Sequence, residues 1–315
     1  MIVRETVGKI DLAIGRNEAP VIAYMDKANQ DYAAKSLKSK LYNVQKSKHY
    51  AESVGALSGV GEFVATNGEI PYEDFEELAT KNFIHQTFKK GIQIERELID
   101  DSRILDMKNR AGSLIDSANY TQEQFVHAPF VYAAAASFTL AGKSFTSVGA
   151  DGVSLVNSGH ASHTGKTANQ TNIVAGAFSV TTLKTAEDAM IGFKTDIGTK
   201  GAANPTMLLV PSALRDTAFE ICMSTGKLGT ANNDANAKQG KYDVVVSSWL
   251  DFMGVTDKAF LIDESYMKKC MFWMDRIPLE IKSQKDFNTD VWQIAGYMRY
   301  SLGFTDWRFL VGINF

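Results

Sequence analysis

Residues 100–129, DDSRILDMKNRAGSLIDSANYTQEQFVHAP, are the clearest single element of this 315-residue chain. Ile104, Met107, Ala111, Leu114, Ile115, Ala118, Phe125 and Val126 recur at helical spacing and form one apolar stripe. Asp100, Asp101 and Ser102 supply capping side chains and negative charge at the expected start. Gly112 is the one weak point, since glycine costs roughly 1 kcal/mol relative to alanine inside a helix. Pro129 is expected to end the element. At about 1.5 Å per residue this is a rod of roughly 35–40 Å. A rod with one apolar stripe needs a sheet along its side.

Upstream, residues 1 to about 50 read as an arm. Lys27, Lys35, Lys38, Lys40, Lys46 and Lys48 face little acid beyond Asp26 and Asp31. Helix is plausible there, but the apolar positions are sparse and such a helix is marginal alone. Residues 52–94 change character. Gly55, Gly59, Gly61 and Gly68 punctuate short pieces, and an acidic cluster follows: Glu69, Glu73, Asp74, Glu76 and Glu77. Over 82–95, NFIHQTFKKGIQIE, apolar and polar residues alternate around Phe83, Phe88, Ile92 and Ile94, which is strand patterning. The region reads as a long hairpin with a glycine-rich tip. A lone hairpin buries little, so it should lie on its own domain or on a neighbouring subunit.

Downstream, residues 175–180 suit a short strand and 182–195 a helix with Leu183, Ala186, Met190 and Phe193 on its inner face. Residues 207–210 form a buried strand, and Pro211 and Ser212 start another helix. The segment 224–240, STGKLGTANNDANAKQG, has loop composition. Strands at 242–247 and 259–262 complete an α/β lobe. The C-terminal part returns to β pattern at 270–274, 277–281, 291–300 and 307–313.

Bulk properties narrow the function. With 45% hydrophobic and 22% charged residues the chain is globular rather than disordered. A net charge of -3 argues against a strongly basic nucleic-acid binder. Cys222 and Cys270 form no C-x-x-C pair and read as buried thiols of a reducing compartment. The N-terminus lacks an apolar signal segment, and the longest apolar run, near 130–136, is far short of the roughly 20 residues that span a bilayer. A protein made in a cytosol, with no membrane contact, is expected.

One block advertises chemistry: residues 151–163, DGVSLVNSGHASH. His160 and His163 could clip a metal, giving a metal-dependent hydrolase, but the glycines argue for a loop and no H-E-x-x-H motif supplies further ligands. Ser158 beside His160 lacks a G-x-S-x-G elbow, and adjacent residues seldom orient for proton transfer. Residues 141–144, AGKS, lack the upstream glycine of a phosphate loop. The spacing of the 69–77 acids does not match an EF-hand. No cofactor is expected. The bland reading is a polar loop in which Asp151, Gly152, Asn157 and His160 tie down their own backbone.

The order of parts is more specific than any motif. A basic arm, a hairpin, Ile94–Asp101 (IERELIDD) and a long helix come first. Asp151–Gly152 with Leu155, Asn157 and His160 follows, then the strand and turn of 207–214 (MLLVPSAL) and the strand of 244–249. This order resembles the major capsid proteins of tailed phages with the Hong Kong 97-type fold, and more narrowly the Mu-type major head subunits. The resemblance implies an α+β Hong Kong 97-like fold. Residues 1–50 would be the N-arm, and 51–94 an E-loop lying over an adjacent subunit. Residues 95–180 would be a P-domain with its spine helix at about 100–128, 181–268 an α/β A-domain, and 269–315 strands returning to the P-domain.

It also implies a structural rather than enzymatic role: self-assembly through pentamers and hexamers into an icosahedral shell around double-stranded DNA. DNA contact would be weak and non-specific. Made in the bacterial cytoplasm, the protein would end in the virion, with a portal, possible decoration proteins and a separate rather than fused scaffold as partners. Lys35, Lys38, Lys40, Glu69, Glu73, Asp74, Glu76, Glu77 and Phe83 are the expected assembly residues. An encapsulin-like compartment shell is the alternative within the same fold.

Overall fold

The computed structural model describes residues 3–6, 12–57, 62–63, 65–66, 68, 70, 72, 77–101, 103–226, 235–286, 288–289 and 291–315. The N-terminal segment holds β1 (Val3–Thr6), α1 (Leu12–Ala33), α2 (Lys38–Leu41) and β2 (Asn43–Lys46). Next come β3 (Ala51–Leu57), β4 (Glu77–Ile84), β5 (Gln86–Ile94), α3 (Arg96–Asp100), α4 (Ile104–Val131), β6 (Ser137–Leu140) and β7 (Lys143–Thr146). The middle contains β8 (Ile173–Val174), α5 (Val180–Ile191), β9 (Met207–Pro211), α6 (Arg215–Cys222), β10 (Asp243–Ser247), α7 (Ser248–Phe252), β11 (Ala259–Ile262) and α8 (Glu264–Cys270). The chain ends with β12 (Met271–Lys285), β13 (Trp292–Phe304) and β14 (Leu310–Ile313). Among the described residues no helix is long and apolar enough to cross a membrane.

Two five-stranded sheets carry the fold. The first runs β1–β12–β13–β5, with β2 pairing β12 beside β1. The second runs β10–β9–β11–β14–β8. The long helix α4 lies along the first sheet, as its stripe demands. Phe125 meets Phe88 of β5 at 5.1 Å and Tyr300 of β13 at 5.8 Å between ring centroids. The N-terminal helix α1 packs on α4, burying Val21, Ile22 and Met25. Here the weak glycine finds its reason: a Cβ on Gly112 would stand 3.0 Å from the ring of Tyr24. The sparse apolar positions of the arm thus have a partner in the chain's own long helix.

The ends of α4 differ from expectation. Asp100 closes the separate short helix α3, and α4 starts at Ile104 after Arg103, which makes no side-chain cap. Asp106 supplies the first-turn negative charge and pairs with Arg103 at 2.7 Å. Pro129 does not stop the helix, which runs on to Val131. A proline there removes one backbone donor near the end, and the closing bond from Tyr132 N–H to the Ala128 carbonyl (2.9 Å) is still made.

The extended segment 82–95 divides at His85. Before it, β4 pairs antiparallel with β3, from Ala51 opposite Ile84 to Leu57 opposite Glu77. After it, β5 joins the first sheet against β13. His85 is buried at the switch, with Nε2 2.8 Å from Ser47 Oγ and Nδ1 2.9 Å from Ser301 Oγ. Burial lowers its pKa. The two short strands read at 270–281 are one long strand, β12, with irregular register at Ile277, where Pro278 needs no ladder donor. The C-terminal β14 does not return to the first sheet; it pairs β11 and β8 in the second. All four of its residues are buried, which suits a central strand covered on both faces. Of residues 141–144, Ala141 and Gly142 form the turn of the β6–β7 hairpin, with φ of 50° and 75°, and Lys143 and Ser144 begin β7. Those two positive angles mark a tight hairpin turn of the primed kind, not a phosphate cradle.

Candidate functional site

The loop from β7 to β8 carries the block that suggested catalysis. Two isolated bridges hold it, Val148 with Ser154 and His160 with Gln170. Asp151 turns the chain: its Oδ1 accepts from Val153 N–H at 3.3 Å, and Gly152 takes φ of 79°. His160 then points inward and is 1% exposed. Its Nδ1 lies 2.7 Å from Asp151 Oδ2, and its Nε2 3.2 Å from Asn172 Oδ1.

Asn172 is the hub. It is fully buried. Its Nδ2 donates to the carbonyls of Leu155 (2.8 Å) and Leu310 (3.2 Å). Its Oδ1 accepts from Asn157 N–H at 2.9 Å, which fixes the amide orientation. Asn157 in turn accepts from Gly159 N–H through its Oδ1 and donates to Ser154 Oγ. One side chain therefore ties the loop to β14.

Trp307 forms the floor beneath His160. The two rings stack with centroids 4.0 Å apart and planes 13° apart, and Phe193 meets the indole edge-on. Arg308 follows, its guanidinium 5.0 Å from the same indole centroid. It pairs with Asp306 and with Asp196, each at 3.1 Å, and its Nε donates to the Lys194 carbonyl. Burial opposes the charge, but Asp306 and Asp196 outweigh it and raise the arginine pKa. Trp307, Arg308, Asp196 and Asp306 lie over a hundred positions from the loop or outside its motif, so spacing within the block could not reveal them.

This arrangement holds a loop. Both ring nitrogens of His160 point at side-chain oxygens of Asp151 and Asn172, so neither is turned toward a metal site or Ser158. His163 is exposed, and its backbone N–H bonds Asp196. The two histidines do not converge, and no metal-holding group of three His, Cys, Asp or Glu occurs among the described residues. The hydrolase reading therefore fails on geometry.

A second buried polar junction lies on α4. Fully buried His127 donates from Nδ1 to the Glu123 carbonyl (2.9 Å) and accepts at Nε2 from Ser247 Oγ (2.8 Å), at the end of β10. Both contacts suit the neutral ring, and burial lowers its pKa to about 4. Glu123 accepts from Ser36 Oγ, and burial raises its pKa. These contacts link the long helix to the N-terminal segment and to the second sheet.

Residues 79–313 match a family described as phage capsid protein. The chain belongs to that family. No curated protein matches it. Among solved structures, this capsid protein is similar to a chain of the structure described as Mycobacterium phage Patience, with 11% identity over 99% of this chain and 92% of that chain and a TM-score of 0.55. It is similar to the capsid of cyanophage P-SCSP1u, with 12% identity, 87% and 86% coverage and a TM-score of 0.52. The capsid of Myoviridae phage XM1 matches with 10% identity, 86% and 89% coverage and a TM-score of 0.52. Such identities show the fold, the Hong Kong 97-like phage capsid fold expected from the order of parts. Family and fold together make the chain a structural capsid protein.

In this capsid protein several expected assembly residues have partners within the chain. Lys38 donates to both oxygens of Asp275 (3.1 and 2.9 Å), with its ammonium 4.4 Å from the Trp273 ring centroid. Lys40 pairs with Asp243, while Lys35 is exposed. Phe83 is buried against Phe272, ring centroids 6.0 Å apart, and Met274. Glu69, Glu73, Asp74 and Glu76 lie outside the described residues, and Glu77 is described only as the first residue of β4. Apolar exposure is found elsewhere, on Tyr50, Phe63, Ile70, Tyr72 and Ile84 of the hairpin segment.

Proposed function

We propose that this protein is the major head subunit of a tailed phage, closest to the Mu type, and builds an icosahedral shell around double-stranded DNA. Its work is assembly through pentamers and hexamers, without catalytic turnover. The segment 1–50 acts as N-arm, 51–94 as E-loop, 95–180 and 269–315 as P-domain, and 181–268 as A-domain. A separate scaffold, a portal and decoration proteins are its partners, and its contact with DNA is weak and non-specific. Synthesis is in the bacterial cytoplasm and the destination is the virion.

One observation carries the reading. The β3–β4 hairpin pairs with itself rather than extending either large sheet, and its loop presents Phe63 and Tyr72 almost fully exposed and Ile70 largely so. A lone soluble subunit seldom displays such a set, whereas a subunit that lays this hairpin on a neighbour requires it. Deleting residues 60–80 and examining both proteins by size exclusion and negative-stain microscopy tests it. The full chain is expected to form capsomers or shells, and the deletion a folded monomer. A full chain that stays monomeric, or a deletion that assembles normally, overturns the reading.

A further inference from the structure

We propose that the pocket where the N-terminal segment, α4 and α7 meet is a binding site for a primary alkylammonium group. The site is independent of the shell reading above.

The pocket has a volume of about 260 Å³. Tyr32 of α1, Ser36 just after it, Glu123 of α4, Ser247 at the end of β10 and Trp249 of α7 line it. Glu123 is 3% exposed, and its surroundings set it apart. The other buried carboxylates among the described residues are well matched. Glu187 pairs with Lys238 and Lys241. Asp263 accepts from the Asn204 and Tyr266 N–H groups and from Ser265 Oγ. Around Glu123 stand hydroxyls: Ser36 donates to its Oε1, and the Tyr32 phenol is beside it. His127 Nδ1 lies 3.6 Å from Oε2, but its proton goes to the Glu123 backbone carbonyl. Lys38 favours the charge on Glu123, yet it is bonded to Asp275. A buried carboxylate that lacks a cation is costly, and burial raises the pKa of this one. An arriving cation would offset that cost.

The hydroxyl protons of this wall are committed elsewhere. Tyr32 donates to the Asn119 carbonyl at 3.2 Å, Ser247 to His127 Nε2 at 2.8 Å, and Ser36 to Glu123. What remains on Tyr32 and Ser247 is oxygen lone pairs. Together with the carboxylate they form a set of acceptors. An ammonium group has three donors and no acceptor, and it answers that set. Trp249 adds a ring face for a cation and an apolar wall for an alkyl chain. An anion would meet Glu123, and a neutral alcohol would leave the carboxylate charge unmatched. Lys35 also lines the pocket, but it is exposed, so its own ammonium stays in water. A bound ammonium would join the N-terminal segment, the long helix and the end of β10.

Calorimetric titration of the full-length chain at fixed ionic strength tests the site. The probe is n-butylammonium chloride, and the control is tetramethylammonium chloride, which carries the charge without N–H donors. n-Butylammonium is expected to saturate one site per chain. Tetramethylammonium should bind at least about tenfold more weakly, the worth of a charge-assisted hydrogen bond. Glu123→Gln keeps the size of the side chain and should weaken n-butylammonium by at least about tenfold. Trp249→Leu should weaken it less, through the lost ring face. Lys35→Gln should bind at least as tightly as the native chain. Absence of saturable binding, equal affinity for the two cations, or binding confined to Lys35→Gln overturns the proposal. Should Glu123→Gln fail to fold, the comparison of the two cations on the native chain decides. Two further probes separate the sources of such a group: 1,4-diaminobutane for a free diamine, and N-acetyl-lysine methylamide for a lysine side chain of a partner. The tighter of the two identifies the source, and failure of both overturns the proposal.

Discussion

Replacing Asn172 by leucine should be among the most damaging single changes in this protein. The residue is fully buried, and leucine has a similar shape, so packing is nearly conserved. What changes is hydrogen bonding. Leucine leaves the Leu155 and Leu310 carbonyls, the Asn157 N–H and His160 Nε2 without their partner. An unmet buried polar group costs about 1–3 kcal/mol, so four at the low end amount to about 4 kcal/mol. A domain is typically stable by only about 5–15 kcal/mol. Urea unfolding of the unassembled subunit, followed by tryptophan emission, reads the change as a lower midpoint at unchanged slope. Asn172→Asp sharpens the test. It exchanges one donor group for an acceptor and aims a carboxylate at two carbonyls, so it should be at least as harmful as leucine. A loss below about 1 kcal/mol for Asn172→Leu would refute the view that this amide holds the loop to β14.

Three further outcomes are expected. Ala141→Asn should raise thermal stability by about 0.5–1 kcal/mol, because alanine sits at φ of 50° where asparagine is better tolerated; a lower melting temperature would contradict the turn geometry. Gly112→Ala should gain about 1 kcal/mol of helix propensity in a Tyr24→Ala background but much less in the native one, where the Cβ meets the Tyr24 ring at 3.0 Å; additive effects in the double-mutant cycle would refute that contact. His127 should make stability pH-dependent. Its folded pKa of about 4 lies below the ordinary 6.5, so its contribution is full above pH 6.5 and is lost as pH falls toward 4, by up to about 3 kcal/mol. Subtracting the same titration of His127→Asn isolates this loss, and parallel curves would show that the ring is not buried neutral.

Much of the architecture was legible along the chain. The apolar stripe of α4, the β9, β10 and β11 strands and the α5 inner face all follow from local periodicity, and their order pointed to the capsid fold. Boundaries were less legible where partner exchange decides them. His85 looks like one polar position in an alternating strand, yet the chain changes sheet there. Pro129 and Asp100 carry strong local signals that tertiary packing overrode. Gly112 was visible as a weakness but its cause, the ring of Tyr24, is far away in sequence.

The polar block at 151–163 shows the same division. Its residues alone determined that a tight, hydrogen-bonded loop stands there, because Asp, Asn and Gly at those spacings satisfy nearby backbone groups. Whether His160 was a catalyst or a tie depended on what lay around it, and only the tertiary structure decided that. Folding brings Asn172, Trp307 and the Leu310 carbonyl against the loop, and both imidazole nitrogens point at side-chain oxygens. Periodicity records which face of an element seeks burial; it does not record which distant polar atom will meet it, since that pairing is set by how the sheets stack.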